Sequence, residues 1–116
     1  MDELLIDRID ALLDHIGKIE NDTKNMSFED FCKSDMLIRA TCFSLNQIGE
    51  QMVNLEKHFK KAELNIPWKS ARDMRNIIVH IYNKVNYQVV YDTIQKDLPP
   101  LKESFLTLRA NLLAEA

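Results

Sequence analysis

Apolar residues return at three- and four-residue steps near the start of the chain: Leu5, Ile9, Leu12, Leu13, Ile16 and Ile19, with Asp7, Arg8, Asp10, Asp14 and Lys18 between them. That spacing lays a hydrophobic stripe along one face of an α-helix and predicts a first helix over about residues 2–20. "NDTKN" breaks the pattern, and Ser27 with Asp30 three positions on reads as a cap opening a helix of about two turns through Phe28, Phe31 and Cys32. A restart at Ser34 or Asp35 predicts a long third helix, striped by Leu37, Thr41, Leu45, Ile48, Met52, Leu55 and Phe59 and reaching about residue 62. Asn65 and Pro67 interrupt the periodicity, and Pro67 suits the first turn of the helix that follows. "NKVN", residues 83–86, breaks that helix, and Tyr87, Val90, Tyr91 and Ile94 form a short stripe ending in "KDLPP". Pro99 and Pro100 lack the N–H that a helix interior needs, so they predict a new start, with Leu101, Phe105, Leu108 and Leu112 turned inward from a terminal helix.

No internal repeat, low-complexity tract or long linker divides residues 1–116, so the expectation is a single all-α domain. Its predicted architecture is an antiparallel up-and-down four-helix bundle with one or two short extra helices. Two glycines and three prolines in a chain that is 46% apolar agree with this, since β-rich folds need more turn punctuation. A chain of 116 residues buries one core, and dimerisation would add to its stability.

Charge narrows the possible partners. A net charge of −3 removes any global attraction to nucleic acid or to an anionic membrane, so an RNA contact must be local. The opening stretch "MDELLIDRIDALLDHIGKIE" begins with acids and lacks a long apolar run, so no signal peptide is expected. Nor does any stretch approach the ~20 apolar residues of a membrane span, which makes a soluble cytoplasmic protein the simplest expectation. Cys32 and Cys42 form no C-x-x-C and have no histidine at ligand spacing, which suits reduced packing thiols without metal or cofactor. Lys57, His58, Lys60 and Lys61 complement the negative pole of the third helix, a reading that outweighs an RNA-binding patch.

The candidate chemistry lies in "RDMRNIIVHIY", residues 72–82. Each helical residue turns by about 100°, so Arg75, Val79 and Tyr82 share one stripe while Asp73, Asn76 and His80 share the next. Arg75 and His80 then stand about 140° apart on a regular helix. Both can line one groove if the helix loosens near His80 or if a second subunit closes the site. Arginine offers a permanently charged fork for phosphate, and histidine moves a proton near neutral pH. Together they suffice to cleave RNA without a metal, and Asn76 could orient the imidazole or bind a phosphate oxygen. Taken as spacing alone, a surface or interface set is the plainer reading of the same residues, with Tyr82 at the edge of a core.

"RNIIVHIY" (75–82) resembles the Arg, four residues, His, one residue, Tyr motif of the HepT-like ribonucleases, the toxin half of HepT/MNT toxin–antitoxin pairs in the HEPN superfamily. "SFEDF" (27–31), "IGEQ" (48–51), "IPWKSARDMRN" (66–76) and "VVYDTIQKDLPPLK" (89–102) are similar to that family's recurring blocks in the same order. The resemblance implies a bundle that dimerises, with Arg75 and His80 of both subunits at a shared cleft and metal-independent endoribonuclease activity on RNA. It implies that Asn76 is the polar residue following the family's arginine, and that Tyr82 is AMPylated by a cognate MNT nucleotidyltransferase antitoxin. Glu50 and Asp73 could also line the cleft, a solvated helix face being the plainer reading of each. Many relatives have Gly where this chain has Ile81, which favours a more regular helix there. The alternatives are a non-catalytic HEPN module that binds nucleotide or docks a nucleotidyltransferase, and a plain helical scaffold.

Overall fold

The computed structural model describes residues 3–59, 66–70, 73–75 and 86–115. Among the described residues all regular structure is helical. Helix α1 (Glu3–Thr23) runs past the predicted stop, because Thr23 keeps its hydroxyl on the Ile19 carbonyl (2.7 Å) within the last turn. The stop comes at Asn25, whose φ of 58° is left-handed and which asparagine adopts more readily than most residues. Ser27 then caps α2 (Phe28–Cys32) by accepting from the Asp30 N–H at 3.1 Å, and Ser34 caps α3 (Asp35–Glu56) by accepting from the Leu37 N–H at 3.2 Å. Both starts match the hydroxyl spacing in the sequence.

Two boundaries differ from expectation. Helix α3 ends at Glu56 rather than near residue 62. There the His58 and Phe59 N–H groups reach only three residues back, to Leu55 and Glu56, and the tightened turn stacks the Phe59 ring on Trp68 at 6.4 Å. The other difference lies at "KDLPP", where the chain does not break. Helix α4 (Tyr87–Asp92), capped by the Asn86 side chain, passes through a π-helical turn (Thr93–Asp97) directly into α5 (Leu98–Ala114). Pro99 and Pro100 donate no hydrogen bond, and their rings crowd carbonyls four residues back in a regular helix. The Leu98 N–H instead reaches five residues back to the Thr93 carbonyl, and the widened turn lets the helix continue across both prolines.

Interhelical polar contacts give the directions. His15 meets Ser44 and Arg8 meets Gln51, so residue numbers rise along α1 as they fall along α3, and the two are antiparallel. Asp10 with Arg109 and Glu20 with Lys102 show the same for α1 and α5. The first helix is thus flanked by two antiparallel neighbours, as in an up-and-down bundle whose last helix returns to its first. Between them Ile9, Leu12, Ile16, Leu45, Ile48, Leu55, Leu101 and Phe105 are fully buried. Cys42 is buried with them as a small hydrophobe, and burial pushes its thiol up to about 11. A side layer joins α2 to α4, where the Phe28 and Phe31 rings contact Tyr91 and its hydroxyl donates to the Met26 carbonyl at 2.8 Å. No helix among the described residues is long and apolar enough to cross a membrane.

Candidate active site

The segment leading to Arg75 is pinned by aromatic packing. Pro67 opens a turn in which its carbonyl accepts from the Ser70 N–H at 2.9 Å. Trp68, nearly buried, lies face-on to Phe59 at the end of α3 and edge-on to Phe105 of α5 at 5.9 Å. Residues 73–75 are helical, and Met74 is 1% exposed, so one side of this short stretch is committed to the core. With Met74 turned inward, its neighbours on either side must face elsewhere.

Helix α3 receives Arg75 at two points. The guanidinium Nε lies 2.7 Å from Glu50 Oε1, and the Asn46 side-chain amide donates to the Arg75 carbonyl at 3.5 Å. Asn46 and Glu50 are four residues apart and share one face of α3, so a single helix face grips both the backbone and the side chain of Arg75. The Arg75 and Glu50 side chains are 43% and 41% exposed. An arginine in this setting is held in one region of space yet open to solvent, where an incoming anion can reach it.

Glu50 is therefore not merely a solvated residue of a helix face: it is the counter-charge of Arg75. Asp73 is exposed and has no hydrogen bond or ion pair among the described residues. His80, Asn76 and Tyr82 lie outside the described residues, as does the expected juxtaposition of His80 with Arg75. Asn46 was not singled out from the sequence, although its place four residues before Glu50 was a usable signal.

A second polar contact sits on the α1–α3 seam, where His15 Nδ1 lies 3.2 Å from Ser44 Oγ and the imidazole contacts the exposed Phe43 ring edge-on. Burial lowers the His15 pKa, Lys18 lowers it further, and Asp14 opposes both. Among the described residues no group of three or more His, Cys, Asp or Glu side chains could hold a metal ion.

Residues 12–108 match the ribonuclease HepT-like family. The chain is 42% identical over 80 residues to a protein of Caldanaerobacter subterraneus subsp. tengcongensis named "Putative RNase", covering 69% of this chain and 71% of that one. It is 33% identical over 103 residues to the "Probable ribonuclease HepT" of Thermococcus cleftensis, covering 89% of this chain and 94% of the relative. A "Gamma-glutamylcyclotransferase and putative RNase" of Methanocaldococcus jannaschii is 33% identical over 104 residues, which are 90% of this chain and 47% of that protein. No solved structure matches the chain.

Proposed function

Because the chain belongs to the HepT-like ribonuclease family, we propose that it is a metal-independent endoribonuclease that works through Arg75 and His80. The observation that supports this most directly is the ion pair of Arg75 with Glu50, an oriented and half-exposed guanidinium at the start of the Arg–His motif. In this reading a ribose 2′-hydroxyl attacks the adjacent phosphorus and the bond to the 5′-oxygen breaks. The products are a 2′,3′-cyclic phosphate and a free 5′-hydroxyl. His80 moves the proton, off the attacking hydroxyl or onto the departing oxygen, and Arg75 stabilises the extra negative charge that gathers on the phosphoryl oxygens. Glu50 and Asn46 are positioning residues, and Asn76 orients the imidazole or a phosphate oxygen.

The wide angle between Arg75 and His80 on a regular helix favours a site completed by a second copy, and so a homodimer with a composite cleft. Tyr82 is the regulatory residue of a type II/VII-like HepT/MNT toxin–antitoxin pair. Its hydroxyl attacks the α-phosphorus of ATP on the MNT nucleotidyltransferase, pyrophosphate leaves, and the AMP group adds bulk and negative charge two residues from His80. RNA is then repelled and sterically blocked.

Cleavage of RNA oligomers in EDTA by the wild type, Arg75→Ala and His80→Ala tests the site. Loss in both variants supports the assignment, and unchanged cleavage in both removes it. Intact mass after co-expression with the nucleotidyltransferase, followed by peptide mapping to Tyr82, tests the switch. The net charge of −3 favours the second reading, a non-catalytic partner-binding module. Tight association with the nucleotidyltransferase and no cleavage of any RNA would select it.

A further inference from the structure

We propose that Lys57 and Lys69 hold the RNA backbone beside Arg75, forming a basic surface among the described residues of an acidic protein. This rests on the ribonuclease reading and adds to it where the substrate lies. From Lys57 to Arg75 the chain carries six lysines and arginines against two acids, although its net charge is −3. Helix α1 has the opposite bias, with six acids against two basic residues. Positive charge is thus concentrated in the part of the sequence that ends at the candidate arginine.

The structure brings two of these lysines to the same end of the bundle. Lys57 follows Glu50 by seven residues, which is two helical turns, so it leaves α3 on the face that holds Arg75 and about 10 Å further along. Lys69 follows Trp68, whose ring stacks on Phe59, two residues beyond Lys57. Both lysines are exposed, with His58 exposed beside them. Lys18, Lys33 and Lys102 each hold a carboxylate, whereas Lys57 and Lys69, like Lys24 and Lys96 elsewhere on the surface, hold none among the described residues.

Complementing the α3 dipole accounts for Lys57 and His58 but not for Lys69. Lys69 lies in the turn just before helical Ser70, outside α3, so the α3 dipole does not account for it. A cation at that position, at the same end of the bundle as Lys57 and six residues before Arg75, fits a polyanion that tracks across the surface. The ligand is the phosphate backbone of single-stranded RNA flanking the scissile bond.

The test measures cleavage of a labelled single-stranded RNA oligomer at several salt concentrations. The proteins are the wild type, Lys57→Ala/Lys69→Ala, Lys57→Glu/Lys69→Glu and, as a control of equal charge change per site, Lys18→Glu on α1. The alanine pair should raise KM about tenfold with kcat within about twofold. The slope of log kcat/KM against log salt should flatten by about 0.7 for each lost phosphate contact. The glutamate pair should raise KM further, and Lys18→Glu should leave it unchanged. Unchanged KM and slope in a chain that cleaves RNA overturns the surface and leaves the ribonuclease reading standing. An equal loss in Lys18→Glu also overturns it, by assigning the effect to net charge. If the wild type cuts nothing, fluorescence anisotropy with the same oligomer separates the two ideas. Salt-sensitive binding lost in the alanine pair keeps the surface and removes the nuclease, and absence of binding removes both.

Discussion

Arg109 and Arg75 each meet a carboxylate through Nε, Asp10 at 2.6 Å and Glu50 at 2.7 Å, with side chains 36% to 45% exposed in both pairs. By distance and exposure they are the same interaction, and such half-exposed pairs contribute little to stability. Their settings differ. Arg109 spans α1 and α5 beside Leu108 and Leu112, which already pack in the core, and it engages both Asp10 oxygens through Nε and Nη2. The Nε–Nη2 edge of its guanidinium is spent on fastening two helices. Arg75 follows the buried Met74, has its carbonyl held by Asn46, and sits beside a basic stretch of chain. The geometry of an ion pair says where the charges are. What surrounds it separates a fastening from an aimed group.

The sharpest way to break this comparison is to delete the arginines in turn. Arg75→Ala or His80→Ala should lower RNA cleavage by about 10²- to 10⁴-fold, the range for losing a proton-transfer or charge-stabilising group. Arg109→Ala should leave the rate intact and the thermal midpoint almost unchanged, and an equal loss of activity there would erase the distinction. Next in size, Leu12→Ala or Ile48→Ala in the shared core should cost about 2–5 kcal/mol in urea unfolding, because each leaves a cavity where nothing was exposed.

A smaller effect sharpens the contrast between the two carboxylates. Glu50→Gln should lower kcat about 10- to 100-fold with KM nearly constant, because Arg75 stays present but loses its aim. Glu50→Asp should recover part of the rate, and Asp10→Asn should not change it. A rise in kcat in Glu50→Gln would instead make Glu50 a competitor for Arg75. The smallest effect is on the α1–α3 seam. A lowered His15 pKa means that the unfolded chain takes up a proton first, so stability is full above about pH 6.5 and falls as pH drops through that value. His15→Gln should flatten this acid slope in unfolding curves measured from pH 7 to pH 5, and an unchanged slope would assign it to other groups.

Much of the helical framework is legible residue by residue. Ser27 and Ser34 act as caps where their spacing to Asp30 and Leu37 places them, and the stripe from Leu5 to Ile19 is the buried face of α1. These features depend on residues within one or two turns of each other. The end of α3 was less legible, because it depends on Phe59 meeting Trp68, nine residues further along the chain. The prolines placed the helix start correctly but not how it is joined to the helix before it. Pro99 and Pro100 do mark the first turn of α5, as their missing N–H groups require, but the π-turn before them keeps α4 and α5 in one helix. Residue types forbid an ordinary helical turn there, and they do not say whether the chain breaks or widens.

The sequence by itself determined the all-helical class, the serine caps, most of the inward faces (Tyr87 is exposed) and the family, because periodicity, capping and motif spacing are written in neighbouring residues. Only the tertiary structure decided that Glu50, among eighteen acidic residues, is the partner of Arg75, and that Asn46 holds the same residue by its backbone. Which charges meet depends on how α3 packs against a segment that follows it across a turn, and that arrangement is set by the whole core rather than by any local run of residues.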